Sequence, residues 1–141
     1  MKRSILQAAL LGASLAIAAT GAAGQAKMDI GKREYDANCA SCHGPKGLGD
    51  GPNKPYLTRS PTDLTTLAKA NGGVLPVNRL YESIEGTRAV PGHGTRDMPT
   101  WGYEYRVKAG EYYMDVPYDS EAYVRGRILA LIDYISRLQV K

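Results

Sequence analysis

The longest amphipathic pattern in the chain lies near its carboxyl end. Apolar side chains recur there at intervals of three and four residues and would cover one face of a helix. They are Val124, Ile128, Leu131, Ile132, Ile135 and Leu138. Asp119 or Ser120 can cap the amino end, and Glu121 in the first turn suits the helix dipole. The pattern therefore predicts a long helix with one buried face.

A shorter helix is predicted from about Ile30 to Asn38. Asp29 can cap it, and Gly31, Tyr35 and Cys39 follow at intervals of four residues. Residues with this spacing lie on one face of a helix, so these three should share one stripe.

Two further short helices are predicted in the middle of the chain. One follows Pro61 and stops at Asn71-Gly72, and the other follows Pro76 and stops at Gly86. Their apolar faces are Leu64, Leu67 and Ala68 in the first, and Val77, Leu80, Tyr81 and Ile84 in the second. Residues 44–52 are rich in glycine and proline and should form a loop. No convincing strand pattern is found, so an all-α fold is predicted.

The first 26 residues have the pattern of a secretory signal peptide. Met1-Lys2-Arg3 is positively charged, residues 5–19 are apolar and uncharged, and small residues follow up to Ala26. The apolar run is shorter than the ~20 residues that cross a bilayer. We therefore predict cleavage before Lys27 and a periplasmic mature protein without stable membrane insertion. An uncleaved anchor is the alternative.

Composition limits the rest of the chain to one small domain. Removing 26 of the 141 residues leaves 115, and it lowers the formal net charge from +4 to about +2. This charge argues against nucleic acid as a partner. A domain of this size buries little of its own surface, so a bound apolar cofactor would add to its core.

The sequence Cys39-x-x-Cys42-His43 carries the candidate chemistry. Two thiols at this spacing can bond covalently to the two vinyl groups of one haem, and the adjacent imidazole can bind the iron. A thioredoxin-like redox pair would need a βαβ context, which is not visible here. A zinc site that also used His93 would place adjacent residues, Cys42 and His43, on one tetrahedral ion, which is poor geometry. Haem attachment is the prediction.

In this arrangement the chain resembles class I cytochromes c, the monohaem cytochrome c family. The motifs that carry the resemblance span residues 28–139. They are Gly31 and Tyr35 in the first helix, Cys39-x-x-Cys42-His43, the loop of residues 47–52, Met98-Pro99, and Tyr134 in the last helix. The resemblance implies three to five short helices wrapped around one covalently attached haem c and its iron. It also implies that the first and last helices cross closely at Gly31 and Tyr134.

The resemblance implies that Met98 is the second axial ligand of the iron, opposite His43. A thioether favours ferrous iron, and Pro99 would stiffen the loop that carries it. His93, between two glycines, is the main alternative, and Met114 is another. An open sixth position is also compatible with the sequence.

Further haem contacts are expected around these ligands. The axial imidazole should donate its second N–H to a carbonyl, and in the family this carbonyl lies in a proline region, here Pro52 or Pro55, with Pro52 preferred. Trp101 should pack on the haem with its indole N–H near a propionate, or alternatively cover the core edge. Arg88 and Arg96 flank the Met98 loop and could pair with propionates.

Residues 102–119 are long for a link between the Met98 loop and the last helix, and they are rich in tyrosine. We interpret them as an insertion in a cytochrome c domain of residues 27–141, either a docking surface or a flap over the haem.

The predicted function is electron transfer rather than enzymatic catalysis. The protein would shuttle single electrons between a reductase and an oxidase or dehydrogenase, with Lys46, Lys54 and Arg59 steering acidic partners. The alternatives are a haem subunit of a larger dehydrogenase or oxidase complex, and a ligand-binding haem protein with an open sixth site. The sequence leaves the oligomeric state open.

Overall fold

A computed structural model describes residues 28–88, 100–113 and 119–140. Regular structure within these ranges is helical, and they contain no strand. The α-helices are α1 (Ile30–Asn38), α2 (Ala40–His43), α3 (Val77–Glu85), α4 (Trp101–Tyr112) and α5 (Ser120–Arg137). Three short 3₁₀ turns lie between α2 and α3, at Lys54–Tyr56, Leu64–Thr66 and Lys69–Asn71. The prediction of an all-α fold is confirmed.

Helix α5 packs against α1, α3 and α4 and supplies half of the buried core residues. The buried residues of α5 are Val124, Ile128, Leu131, Ile132 and Ile135. Asp119 caps its amino end by accepting hydrogen bonds from the backbone of Glu121 and Ala122. The predicted helix, cap and buried face are thus confirmed. None of the helices in the described ranges is long and apolar enough to cross a bilayer.

Helices α1 and α5 cross in direct backbone contact at Gly31. A Cβ atom at Gly31 would lie 2.0 Å from the carbonyl oxygen of Ala130 in α5, so only glycine permits this approach. Beside the crossing, the rings of Tyr35 and Tyr134 pack with their centroids 5.0 Å apart. The expected roles of Gly31 and Tyr134 at the crossing are confirmed.

A buried ion pair also joins α1 to α5. Arg127 donates to Glu34 over 2.7 Å, and Asn38 donates to the other carboxylate oxygen of Glu34 over 3.0 Å. Because Glu34 is buried, these partners are needed to offset the cost of removing its charge from water. The ion pair therefore fixes the position of α1 against α5.

The side chain of Tyr35 connects α1 to the loop that follows His43. Tyr35 is fully buried, and its hydroxyl donates to the carbonyl oxygen of Gly44 over 2.6 Å. Helix α1 thereby holds the end of the Cys39-x-x-Cys42-His43 segment in place.

We expect Tyr35→Phe to lower the free energy of unfolding by about 1–2 kcal/mol, because it removes a buried hydrogen bond and keeps the ring. Denaturant titration of the haem-loaded protein measures the change. Tyr134→Phe is the matched control, since its ring belongs to the same pair but its hydroxyl has no hydrogen-bond partner among the described residues. Equal losses in the two variants would contradict the assigned role of the Tyr35 hydroxyl.

Residues 61–72 form two 3₁₀ turns rather than the single short helix that the sequence predicts. Asp63 accepts hydrogen bonds from both the backbone N–H and the hydroxyl of Thr65, and these bonds hold the tight first turn. Gly72 ends the second turn in the left-handed conformation, as predicted. Leu64 is buried here and reaches the core.

Helix α4 covers most of the segment that we interpreted from the sequence as an insertion, residues 102–119. This helix was not predicted from the sequence because its apolar positions form no continuous stripe. Only Tyr105 and Ala109, one turn apart, are buried together with Gly102. Residues 114–118 lie outside the described residues. The insertion and the domain boundaries stay predictions.

Arg106 of α4 bridges two neighbouring helices. It donates to Glu85 of α3 over 2.9 Å and to Glu121 of α5 over 2.7 Å. These hydrogen bonds lower the pKa of both carboxyl groups. Exposed ion pairs contribute little stability, so their main effect is to set the position of α4.

Candidate haem-binding site

Cys39 and His43 lie one helical turn apart at the junction of α1 and α2. The backbone N–H of Cys39 still bonds to Tyr35 in α1, while the N–H of His43 bonds to the Cys39 carbonyl oxygen over 2.8 Å. This continuous helical path places the Cys39 sulfur and the His43 ring on the same wall of a cavity. Cys42 is half-buried beside them, and both cysteines are free thiols.

The cavity has a volume of about 250 Å³. Its walls come from Cys39 at the end of α1, from α2, α3, α4 and α5, and from the two 3₁₀ turns before α3, and most of its surface is apolar. The apolar residues lining it include Leu64, Leu67, Ala70, Pro76, Leu80, Ile84, Trp101, Leu131 and Ile135. An apolar cavity beside two thiols and an imidazole suits a flat apolar cofactor that carries a metal ion.

The ring of His43 is oriented by a backbone carbonyl. His43 is buried, and its Nδ1 atom lies 3.0 Å from the carbonyl oxygen of Thr62. Because a carbonyl only accepts, Nδ1 carries the hydrogen and Nε2 has the lone pair that a metal ion requires.

The prediction that Pro52 supplies this carbonyl is wrong. Thr62 takes the role, and it follows a different proline, Pro61, ten residues further along the chain. Pro52 itself is exposed, in a loop whose backbone turns back to Ser41 and Cys42. The folded loop therefore brings a later proline region to His43, which sequence proximity alone does not reveal.

Gly49 allows the Thr62 segment to approach the histidine. Its φ of +74° is in the left-handed region, and a Cβ atom there would lie 2.4 Å from the carbonyl oxygen of Pro61. The N–H of Gly49 also donates to the carbonyl oxygen of His43 over 2.9 Å. The glycine-rich loop thus connects the imidazole to the residue that orients it.

Burial determines the chemistry that suits Cys39. Removal from water raises the pKa of its thiol to about 12, and the nearby Glu34 carboxylate and Cys42 act in the same direction. A zinc-bound thiolate would be charged here, whereas a thioether is neutral. In the part of the chain that the structure describes, no group of three or more His, Cys, Asp or Glu side chains is arranged to hold a metal ion. The buried thiol of Cys39, with its raised pKa, therefore fits the neutral thioether of covalent haem better than a zinc-bound thiolate.

Trp101 begins α4 and lines the cavity. It also packs on the core, with its ring centroid 6.4 Å from that of Tyr105. It therefore covers the core edge and faces the cofactor cavity at once, which combines the two interpretations of the sequence. Its hydrogen bond to a propionate stays a prediction.

Several other predicted site residues lie outside the described residues. These are Met98, the alternatives His93 and Met114, and Arg96. Arg88 is described, and its guanidinium lies 3.6 Å from the carboxylate of Glu82 rather than at the cavity wall.

The sequence did not single out Arg79, which lies among the residues that line the cavity. It occurs in α3 one turn before Ser83, another lining residue, and next to Leu80. The apolar periodicity of α3 marked a buried face, but it did not show that this face borders a cavity with a charged edge.

Comparison with known proteins agrees with this geometry. Residues 26–112, more than half of the chain, match the family model described as cytochrome c oxidase, cbb3-type, subunit III. The chain belongs to this family. No curated protein and no solved structure matched it. The family domain is a c-type cytochrome, so the protein is a haem c-type cytochrome that acts in electron transfer, and covalently bound haem c with iron is its cofactor.

Proposed function

We propose that this protein is a periplasmic monohaem cytochrome that carries single electrons between redox protein partners. One observation carries the proposal: Cys39 and His43 share one wall of an apolar cavity, with the His43 ring oriented by Thr62. The chain contains two cysteines and thus one attachment motif, which supports a single haem. The predicted signal peptide supports the periplasmic location.

Each part of the site has a distinct task in this function. Cys39 and Cys42 hold the cofactor covalently, and Nε2 of His43 binds its iron. The bond from Nδ1 to Thr62 fixes the orientation of the imidazole and makes it more electron-rich. When bound, haem iron supplies a one-electron ferric–ferrous couple. The apolar walls exclude water from the haem. This limits the reorientation of solvent when the charge of the iron changes.

We propose Met98 as the second axial ligand, as the resemblance implies. A histidine–methionine pair gives a positive reduction potential and leaves no coordination position for a substrate. The protein would then exchange electrons through brief, small contacts at the haem edge.

The ligand assignment is tested by Met98→Ala, with Met28→Ala as the matched control. Met28 is exposed near the start of the described chain. We expect Met98→Ala to lose the weak long-wavelength absorption band of methionine-ligated ferric haem, to bind carbon monoxide when reduced, and to have a much lower midpoint potential. Met28→Ala should keep all three properties of the native protein.

Two results would contradict this assignment. Native protein that already binds carbon monoxide would indicate an open sixth site and a ligand-binding function. An unchanged spectrum in Met98→Ala, together with loss of the native spectrum in His93→Ala or Met114→Ala, would assign the ligand to one of those residues.

A second function, as a haem subunit of a larger oxidase, is favoured by the family match. The described surface of α4 also supports it, because Tyr103 and Tyr112 are largely exposed and tyrosine is enriched at protein interfaces. Native purification distinguishes the two functions. A stable complex with oxidase subunits supports the second, and a haem-loaded protein that elutes alone and is reduced and reoxidised by separate partners supports the first.

A further inference from the structure

Arg79 is the one lysine or arginine among the described residues that line the cavity. It is exposed at the third position of α3, and it has no ion pair within the part of the chain that the structure describes. Five other cations among the described residues are paired with carboxylates; they are Lys32, Arg88, Arg106, Arg127 and Arg137. Arg79 thus differs from them in having a cavity beside it and no partner.

The polar side chains near Arg79 at the cavity, Ser83 and Asn71, already donate hydrogen bonds to backbone carbonyl oxygens. The hydroxyl of Ser83 donates to the carbonyl oxygen of Arg79 over 2.7 Å, and the amide of Asn71 donates to the carbonyl oxygen of Val74 over 2.8 Å. The guanidinium therefore remains as the strong donor on this side of the cavity. Its five N–H groups match a carboxylate in a two-point contact.

The wall that carries Arg79 differs from the wall that carries Cys39. Arg79 belongs to α3, which packs on α4 and α5, whereas Cys39 ends α1, which packs on α2 and α5. Haem has its two thioether-forming groups at one side of the ring and its two propionates at another. A ring fixed at Cys39 and Cys42 would therefore turn its carboxylates toward other parts of the cavity.

We propose that Arg79 binds a haem propionate at the exposed edge of the cavity. The inference rests on the haem c that the family assigns, and not on the proposed shuttle role. A charge-assisted bond at this position satisfies a carboxylate that would otherwise border an apolar cavity, and the exposure of Arg79 leaves room for water on the other side.

The contact predicts a specific effect on the midpoint potential. A nearby guanidinium holds a carboxyl pKa down by roughly 1–3 units, so the propionate stays ionised at neutral pH. Without Arg79 the propionate pKa rises toward neutral pH, and it is higher in the ferrous than in the ferric state because ferrous iron carries one positive charge less. The midpoint potential should then fall as pH increases through the interval between the two propionate pKa values.

Other titratable groups near this position are already accounted for. Cys39 and His43 are the other titratable residues among those that line the cavity, and both bind the cofactor. Glu85 and Arg106, where α3 meets α4, are paired with each other, and Arg88 is paired with Glu82. A new pH dependence of the midpoint potential in an Arg79 variant would therefore reflect the titration of the propionate.

The test compares Arg79→Gln, Arg79→Lys and the control Arg125→Gln. Arg125 is an exposed arginine of α5 that does not line the cavity. The midpoint potential of each haem-loaded protein is titrated from pH 5 to pH 9, and the carboxylate bands of the haem are followed by infrared difference spectroscopy. We expect Arg79→Gln to raise the propionate pKa by about 1–2 units, to lower the potential at neutral pH and to shift a carboxylate band.

The propionate pKa and the midpoint potential of Arg79→Lys should lie between those of Arg79→Gln and the native protein, since lysine keeps the charge and loses the two-point contact. It also provides the comparison if Arg79→Gln does not fold. The proposal is overturned if the pH profile and the infrared bands of the Arg79 variants match those of Arg125→Gln. A native protein without covalent haem would overturn the function itself, which is a different result.

Discussion

Replacing both Cys39 and Cys42 with serine is expected to abolish covalent haem attachment. These are the only cysteines of the chain, so no other sulfur can form a thioether to a vinyl group. Acidified acetone should extract all pigment from the double variant and none from the native protein. Because the haem supplies much of the apolar filling of the cavity, we also expect the double variant to lose most of its thermal stability.

The single variants make this prediction sharper. Cys39→Ser and Cys42→Ser should each retain at most one thioether, which shifts the absorption maximum of the pyridine complex toward that of haem with one free vinyl group. Ser41→Ala is the matched control, because it changes an exposed residue between the two cysteines and keeps their spacing. Pigment that remains bound to the double variant in acidified acetone would contradict the attachment.

The sequence predicted best the elements that depend on local signals. The bounds of α1, its cap at Asp29, and the start of α5 after Asp119 agree with the structure. Each has a capping side chain and an apolar stripe with helical spacing, and both signals lie within a few residues of each other. Gly86, which ends α3 in the left-handed conformation, was predicted from another local signal, a glycine directly after an apolar stripe.

The features that the sequence did not predict depend on contacts between distant segments. Helix α4 has too few buried apolar positions to show a stripe, and it is held instead by Tyr105, Ala109 and the ion pairs of Arg106. Thr62 reaches His43 only because the glycine-rich loop folds back, and Arg79 borders the cavity only once α3 is placed. The local pattern of apolar and polar residues does not show these contacts between distant segments.

Helix α5 links the described core to the haem site although it lies beyond the residues that match the family model. Leu131 and Ile135 line the cavity, while Ile128 and Val124 are buried in the core. The position of α5 therefore determines both the packing of the core and the shape of the cavity. That position is set by its crossing with α1 at Gly31.

The prediction for this crossing is that Gly31→Ala destabilises the protein by about 2–3 kcal/mol. The added methyl group would meet the Ala130 carbonyl oxygen, and a backbone atom cannot move aside by a change of rotamer. The helices must separate, which loosens the contact of Tyr35 with Tyr134. The loss exceeds the ~1 kcal/mol that alanine gains over glycine from helix propensity.

Gly126→Ala is the matched control because it makes the same substitution within α5, where the added Cβ would meet no atom within 4 Å. This variant should instead gain up to ~1 kcal/mol from helix propensity. Denaturant titrations of the two haem-loaded variants are thus expected to shift in opposite directions. A separation of the helices at Gly31 would also widen the cavity along α5, so the haem absorption spectrum of Gly31→Ala should change while that of Gly126→Ala stays native. Equal stabilisation of both variants would show that α1 and α5 do not cross at Gly31, and the cavity described between them would then have a different shape.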